Sequence, residues 1–409
     1  MHAKKNLFNP LDPDFRTNPY PTYDRLRQED PVHKNIFGNW IVTRYSDAQV
    51  ILNDKRFVVD NLPERLQQKS HYLKEGNLNT LIQTIDKWLV FLEPPNHTRL
   101  KATISPAFSQ AIIENMRPEI QAIFDDLFSK VVHKGEIDII ADLAIPLPAL
   151  AITKIFGLPI EDYEKLIRWS ADSIFIFEQP IPLERYQAQN KLIIEHKQYF
   201  LEKVAEYRKI PNNGLISYLA NQQDVEQPLT AEEIASICIM LNITAQETTQ
   251  GLLGNGFLAL LKHPDALENL RQNPDKIKSA VEELLRYDSP IQFVARRAKE
   301  DVEISGRLIR SQENVIIYIG AVNRDPEQFP LPNQLDFNRH SHSMAFGRGI
   351  HYCIGVFLAK LEAQILIITL LNRLYNIQLN TDKLEWYEST ILRRLKALPI
   401  KFSTLAEQY

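Results

Sequence analysis

The sequence predicts a mainly α-helical fold with small β-sheets, built as a single large domain over residues 1–409. Three observations lead there. From about Ser109 to Leu261 apolar residues recur at intervals of three and four, the period of a helix. Short alternating β-branched runs occur only near Trp40 and again after Pro290. No repeat, low-complexity tract or Gly/Ser linker divides the chain, so the usual domain size of roughly 150 residues finds no boundary to settle on.

Taken in order, Pro10, Pro13, Pro19, Pro21 and Pro31 predict that residues 1–20 form an extended wrapping segment ahead of a short helix near Thr22–Gln28. Trp40-Ile41-Val42-Thr43 reads as a strand, and the stretch Phe57–Leu89 as helix-poor. Thr230-Ala231-Glu232-Glu233 is a capping box, with a threonine cap and a glutamate three residues on. No proline follows until Pro264, so a helix over 231–262 would run about 48 Å. Val302–Ile304, Ser305-Gly306 and Arg307–Ile309 read as a hairpin, and Val315–Tyr318 as a further strand. A helix over Val356–Leu374 and an extended tail from Leu392 to Phe402 complete the chain.

Composition excludes several classes. The 47 Lys and Arg against 51 Asp and Glu leave a net charge of −4, without the basic excess of a nucleic-acid binder. Two cysteines, Cys238 and Cys353, do not make a disulfide framework. The longest uncharged stretches, Ile234–Gln246 and Thr248–Leu261, fall short of a membrane span. The expectation is a cytoplasmic monomer with no membrane anchor.

Glycine is scarce, yet Gly347, Gly349 and Gly355 fall within nine residues that run into the Val356–Leu374 helix. Such a cluster implies a loop that bends through positive φ and approaches something closely. Cys353 lies at the helix start, where unpaired N–H groups favour an anion, and Arg348 and His351 are near it in sequence. A thiolate there is a metal ligand or a nucleophile. The alternatives are a small buried core cysteine and a dinucleotide-binding loop, although the latter lacks its third glycine and a preceding strand.

Phe346-Gly347-Arg348-Gly349-Ile350-His351-Tyr352-Cys353-Ile354-Gly355 resembles the haem-binding loop of the cytochrome P450 family. The resemblance implies that Cys353 is the metal ligand, the thiolate on the iron of haem b. It implies too that His351 bonds a propionate and that Phe346 packs on the sulfur side of the macrocycle.

In the 231–262 helix the only charge between Glu233 and Lys262 is Glu247. A helix apolar nearly all round is buried, and a buried carboxylate needs a partner or a task. Glu247-Thr248-Thr249 sets an acid beside hydroxyls, a combination that handles protons. Thr244-Ala245-Gln246-Glu247-Thr248 is similar to the family's central-helix motif, with Ala245 for glycine and Thr244 for alanine or glycine. Glu247 and Thr248 are thereby implied as the catalytic proton relay.

Glu283 and Arg286, three apart, read by themselves as a surface helix pair. They also resemble the family's Glu-x-x-Arg pair, with Arg339 as its loop arginine. His97 and Lys101, four apart after Pro94-Pro95, read as a solvated basic face. By resemblance they bind propionates together with Arg296, whose neighbour Arg297 makes the register ambiguous. Ser343 stands where the family often has histidine.

The resemblance covers residues 19–402 and implies a haem-thiolate monooxygenase that inserts one oxygen atom from O2 into a small apolar organic substrate. Electrons would come from NAD(P)H through a ferredoxin or flavodoxin and its reductase, docking on a basic face made by Arg99, Lys101, Arg348 and Lys360. The substrate pocket would draw on Met240, Ile243, Thr244, Ile291, Phe293, Val294 and Ile391, under a roof that includes residues 57–89 and 169–182. Peroxygenase or oxidative ring-coupling chemistry on the same fold, or a haem carrier or sensor, are the alternatives.

Overall fold

The computed structural model describes residues 8–73, 77–178, 181–222, 227–340 and 342–404. Its centre is the helix Ala231–Lys262, hereafter the long helix. Thr230 accepts a hydrogen bond from the Glu233 N–H while Glu233 reaches back to the cap, which fixes the start where the capping box put it. Every residue from Ile234 to Leu260 is buried except Thr244, Ala245 and Thr248.

Other elements pack around that axis. Tyr163–Ser173, the roof helix, and Leu183–Lys209 lie along it, while Pro146–Phe156, Ile277–Tyr287 and Val356–Arg373 also pack against it. Polar side chains on the long helix are matched to this packing: Asn242 and Gln246 both donate to the Leu166 carbonyl at 3.2 Å. At Gly251 the lack of a side chain admits the C-terminal tail. A Cβ there would come within 2.9 Å of Pro290 and 3.2 Å of the Arg393 carbonyl, which also accepts from Asn255 at 2.8 Å.

The β-structure is peripheral. A five-stranded sheet has the order Val32–Lys34, Trp40–Val42, Asn314–Tyr318, Phe293–Ala298, Phe57–Val58, parallel only between its second and third members. Glu136–Asp138, Pro399–Thr404 and Leu374–Leu379 form a three-stranded sheet. The expected hairpin Val302–Ile304 with Arg307–Ile309 is present, and Ser305 and Gly306 turn it with positive φ.

Several expectations change. Of the segment 1–20 expected to be extended, residues 1–7 lie outside the described residues, and within 8–20 Pro13–Thr17 is a helix, because Asp12 accepts from the Asp14 N–H and Pro13 suits a first turn. The next helix is longer than expected, Tyr20–Glu29. The stretch read as helix-poor holds Leu62–Ser70, capped by Asn61, and Asn79–Ile85. Leu374 opens a strand rather than closing the preceding helix. Among the described residues one helical segment, Ile139–Phe156, is long and apolar enough to cross a membrane, and 72% of it is buried inside the protein.

Candidate active site

Gly347 and Gly349 both adopt φ of 72°, so the cysteine loop uses its glycines for left-handed backbone. At Gly349 a Cβ would also lie 2.6 Å from the Leu52 carbonyl, so the loop can sit on the neighbouring helix end only without a side chain. The Cys353 N–H donates to the Phe346 carbonyl at 3.1 Å and closes the loop. Burial pushes the Cys353 thiol up, while the Gly355 N–H and the charges of Lys101 and Lys360 oppose that shift. The cations expected to favour a thiolate were Arg348 and His351. Arg348 instead donates to the Tyr45 hydroxyl at 3.1 Å, and the lysines take its place. Lys360 also lies 5.3 Å from the centre of the Phe346 ring.

Beside this loop the chain gathers groups suited to an anion. The His97 and His351 rings lie 4.4 Å apart, and His351 Nε2 is 3.6 Å from Glu93 Oε1. Burial, with the nearby His351 and Lys101 charges, pushes His97 down to about 4. Arg296 is 8% exposed, and among the described residues the one hydrogen bond of its side chain is to the Ala295 carbonyl at 2.8 Å. Burial pushes it down to about 10, against the pull of Glu93. Its neighbour Arg297 points outward and donates to Gln312 at 2.7 Å, so of the two arginines Arg296 is the buried one. A buried guanidinium has five donors to satisfy, so Arg296 is shaped for an anionic guest. Lys101 donates to the Tyr352 carbonyl at 2.9 Å and also to that of Ile350, so it holds the loop itself rather than standing free. The basic solvated face expected here is largely buried.

On the long helix, Thr244, Ala245 and Thr248 are the gap in an otherwise continuous burial, and their spacing puts them on one face. The Thr248 hydroxyl donates to the Thr244 carbonyl at 2.7 Å, and that of Thr244 to the Met240 carbonyl at 2.9 Å. Glu247 leaves the helix elsewhere. Its carboxylate pairs with Arg394 and accepts from the Ser170 hydroxyl at 3.3 Å. Burial pushes Glu247 up from the usual carboxylate range, and Arg394 and then Ser170 pull it down. The acid and the adjacent hydroxyl are not joined directly, contrary to the simple pairing their sequence suggests.

Glu283 and Arg286 are not a surface pair. They are 3% and 1% exposed, joined by two hydrogen bonds of 2.8 Å. Arg339 donates to Glu283 Oε1 at 3.1 Å, and Arg286 reaches the carbonyls of Asn323, Pro332 and Gln334. Asn323 in turn accepts from the Met344 N–H at 2.7 Å, which ties this buried cluster to the start of the cysteine loop.

The expected pocket residues divide. Ile291, Val294, Ile391 and Thr244 are partly open, and the Gln292 N–H bonds the Ile391 carbonyl at 2.7 Å, which brings the tail beside the strand. Phe293 does not belong with them, because strand alternation turns it to Tyr318, 5.5 Å away, in the aromatic cluster of Phe8, Phe15 and Tyr23. Ile243 is fully covered and Met240 nearly so, both in the main core. Glu93, Ser170 and Arg394, which touch His351 and Glu247, are contacts that no local pattern announces.

The family model described as Cytochrome P450 matches residues 30–397. The chain is 38% identical to the biotin biosynthesis cytochrome P450 of Bacillus subtilis (strain 168), over 95% of this chain and 97% of that one. It is 34% identical to the cytochrome P450 monooxygenase PikC of Streptomyces venezuelae, over 96% and 93%. Among solved structures, P450BioI in complex with a hexadec-9Z-enoic acid-ligated acyl carrier protein superposes with a TM-score of 0.88 at 37% identity, covering 95% of this chain and 100% of that one. With a fold this close and a family match over most of its length, the chain belongs to the cytochrome P450 family.

Proposed function

We propose that in this cytochrome P450 monooxygenase Cys353 is the iron ligand of a haem b seated between the cysteine loop and the long helix. The observation that carries this is the buried Arg296 guanidinium, for which the described residues give one side-chain hydrogen bond, together with the adjacent His97 and His351 rings. Those groups fit the two carboxylates of a haem, and the donor set fits its iron, since Cys353 offers a thiolate while the loop's imidazole, His351, is turned to Glu93. Bound haem supplies the electron storage and dioxygen activation that side chains lack.

The chain's own residues do the rest. Gly355, Lys101 and Lys360 stabilise the Cys353 thiolate. His97, Arg296 and His351 hold the propionates, with Lys101 as a point charge at the loop. Phe346 covers the sulfur side. Thr244, Ala245 and Thr248 leave room on the long helix for small reactants, and Glu247 and Thr248 pass protons inward. Ile291, Val294 and Ile391 present an apolar surface to a small organic substrate. An acyl chain on its carrier protein is a first candidate to try, given the acyl carrier protein in the P450BioI complex.

Electrons would come from NAD(P)H through a reductase and a ferredoxin or flavodoxin, in the cytoplasm. The test is a carbon-monoxide difference spectrum of the reduced protein. The thiolate signature is expected in wild type and lost in Cys353→Ala; an unchanged spectrum in the variant would remove Cys353 from the iron. Substrate-dependent consumption of NAD(P)H then separates an oxygenase from a haem carrier.

A further inference from the structure

We infer that Arg394 is a positioning residue for Glu247, holding its carboxylate turned toward the roof helix and tail; this rests on the reading of Glu247 as the relay acid. Arg394 lies in the C-terminal tail, 9% exposed. Its Nη1 ion-pairs Glu247 Oε2 and donates to Gln250 Oε1 at 3.3 Å, and its guanidinium lies 3.9 Å from the centre of the Tyr387 ring. Ser170, on the roof helix, takes the other carboxylate oxygen. Both oxygens are therefore held from elements outside the long helix, while Thr248 is bonded to its own helix backbone. The bare backbone at Gly251 is what lets this part of the tail come near enough.

The same tail turn is clamped to the end of the roof. Glu178 accepts from the Thr390 N–H at 3.1 Å, from the Thr390 hydroxyl at 2.7 Å and from the Ser389 hydroxyl. A closed circuit results: Ser170 to Glu247, Glu247 to Arg394, along the tail to Ser389 and Thr390, and back through Glu178 to the roof. The partners of Glu247 sit on the roof helix and the tail, so a movement of either changes what the acid touches. Arg394 is the charged group facing Glu247, with the Ser170 hydroxyl on the other side. With Arg394 removed, burial acts on Glu247 with less opposition, and the carboxyl keeps its proton to higher pH.

The experiment follows the infrared carbonyl stretch of protonated carboxyl groups against pH in the haem-loaded, substrate-free protein. The Glu247 band is the one lost in Glu247→Gln. It is expected to appear at higher pH in Arg394→Gln than in wild type, and to return toward wild type in Arg394→Lys, which keeps the charge. Should Arg394→Gln fold poorly, Arg394→Met, which keeps much of the length of the side chain without its charge, reads the same Glu247 titration. A Glu247 titration identical in wild type and Arg394→Gln would overturn the inference and leave the relay reading standing. The second readout is product formed per electron consumed: its acid-side fall should move to higher pH in Arg394→Gln. A shifted infrared titration with an unmoved product profile would uphold the positioning role and overturn Glu247 as the relay acid.

Discussion

The Thr248 hydroxyl donates to the Thr244 carbonyl, which leaves its oxygen free to accept, on the stretch of the long helix where burial is interrupted. A group so placed can hold a water or a bound small molecule without unbalancing the helix. Thr248→Ala removes that oxygen and little else, since the helix backbone is otherwise bonded in full turns. Haem content and substrate-induced spectral change should stay near wild type, while product per electron falls by about tenfold or more and hydrogen peroxide release rises to match. The check is to measure product and peroxide together against NAD(P)H consumed. Equal ratios in variant and wild type would transfer the role to Thr244, whose hydroxyl is bonded the same way to Met240.

At the scale of elements, the roof helix and Leu183–Lys209 meet through His196, which is fully buried against Trp169 with ring centres 4.4 Å apart. Neither His196 ring nitrogen has a hydrogen-bond partner among the described residues, and burial, aided by Arg168, pushes its pKa down to about 3 from 6.5. The sign follows from linkage. Below about 6.5 the unfolded chain takes up a proton that the folded protein refuses until about 3, so stability is lost as pH falls through that window and is flat above it. Between pH 7 and about pH 5 the loss is on the order of 2 kcal/mol. His196→Phe keeps a ring against Trp169 and should remove that component. Urea unfolding at both pH values, in wild type and variant, reads it directly; an equal acid-side loss in both would clear His196. Elements also show where sequence reasoning reaches its limit. The capping box and the cysteine loop were legible because their signals are local, within four and ten residues. Ser170 and Glu247 are 77 positions apart, and Gln250 and Arg394 144, so no window contains both partners. Glu283 and Arg286 look the same at three residues' spacing whether buried or exposed, and burial alone decides their role. Phe293 was misplaced because Phe293–Ala298 carries apolar residues on both faces, so alternation could not say which face meets the cavity.

Over the whole molecule the question is how a reductant finds the haem. The sequence suggested steering by Arg99, Lys101, Arg348 and Lys360, which implies a reduction rate that falls steeply with salt. In the structure these charges are engaged: Arg99 pairs with Glu233, Lys360 with Glu282, Lys101 holds loop carbonyls and Arg348 donates to Tyr45. Paired cations present little net field to an acidic protein. What stands out around the cysteine loop is apolar: Ile350, Tyr352 and Phe357 are 49%, 42% and 38% exposed. A small donor protein docking there would be held mainly by burial of those side chains, which salt does not screen. The rate of reduction by a ferredoxin should therefore change by less than about tenfold between low and physiological ionic strength, below the range of strongly steered pairs. Phe357→Asp should slow it more than Lys360→Gln does, each rate being referred to the haem that shows the carbon-monoxide thiolate signature in that variant. Stopped-flow reduction across a salt series decides the matter: a steep fall with salt, or a larger effect of Lys360→Gln, would restore charge as the docking force.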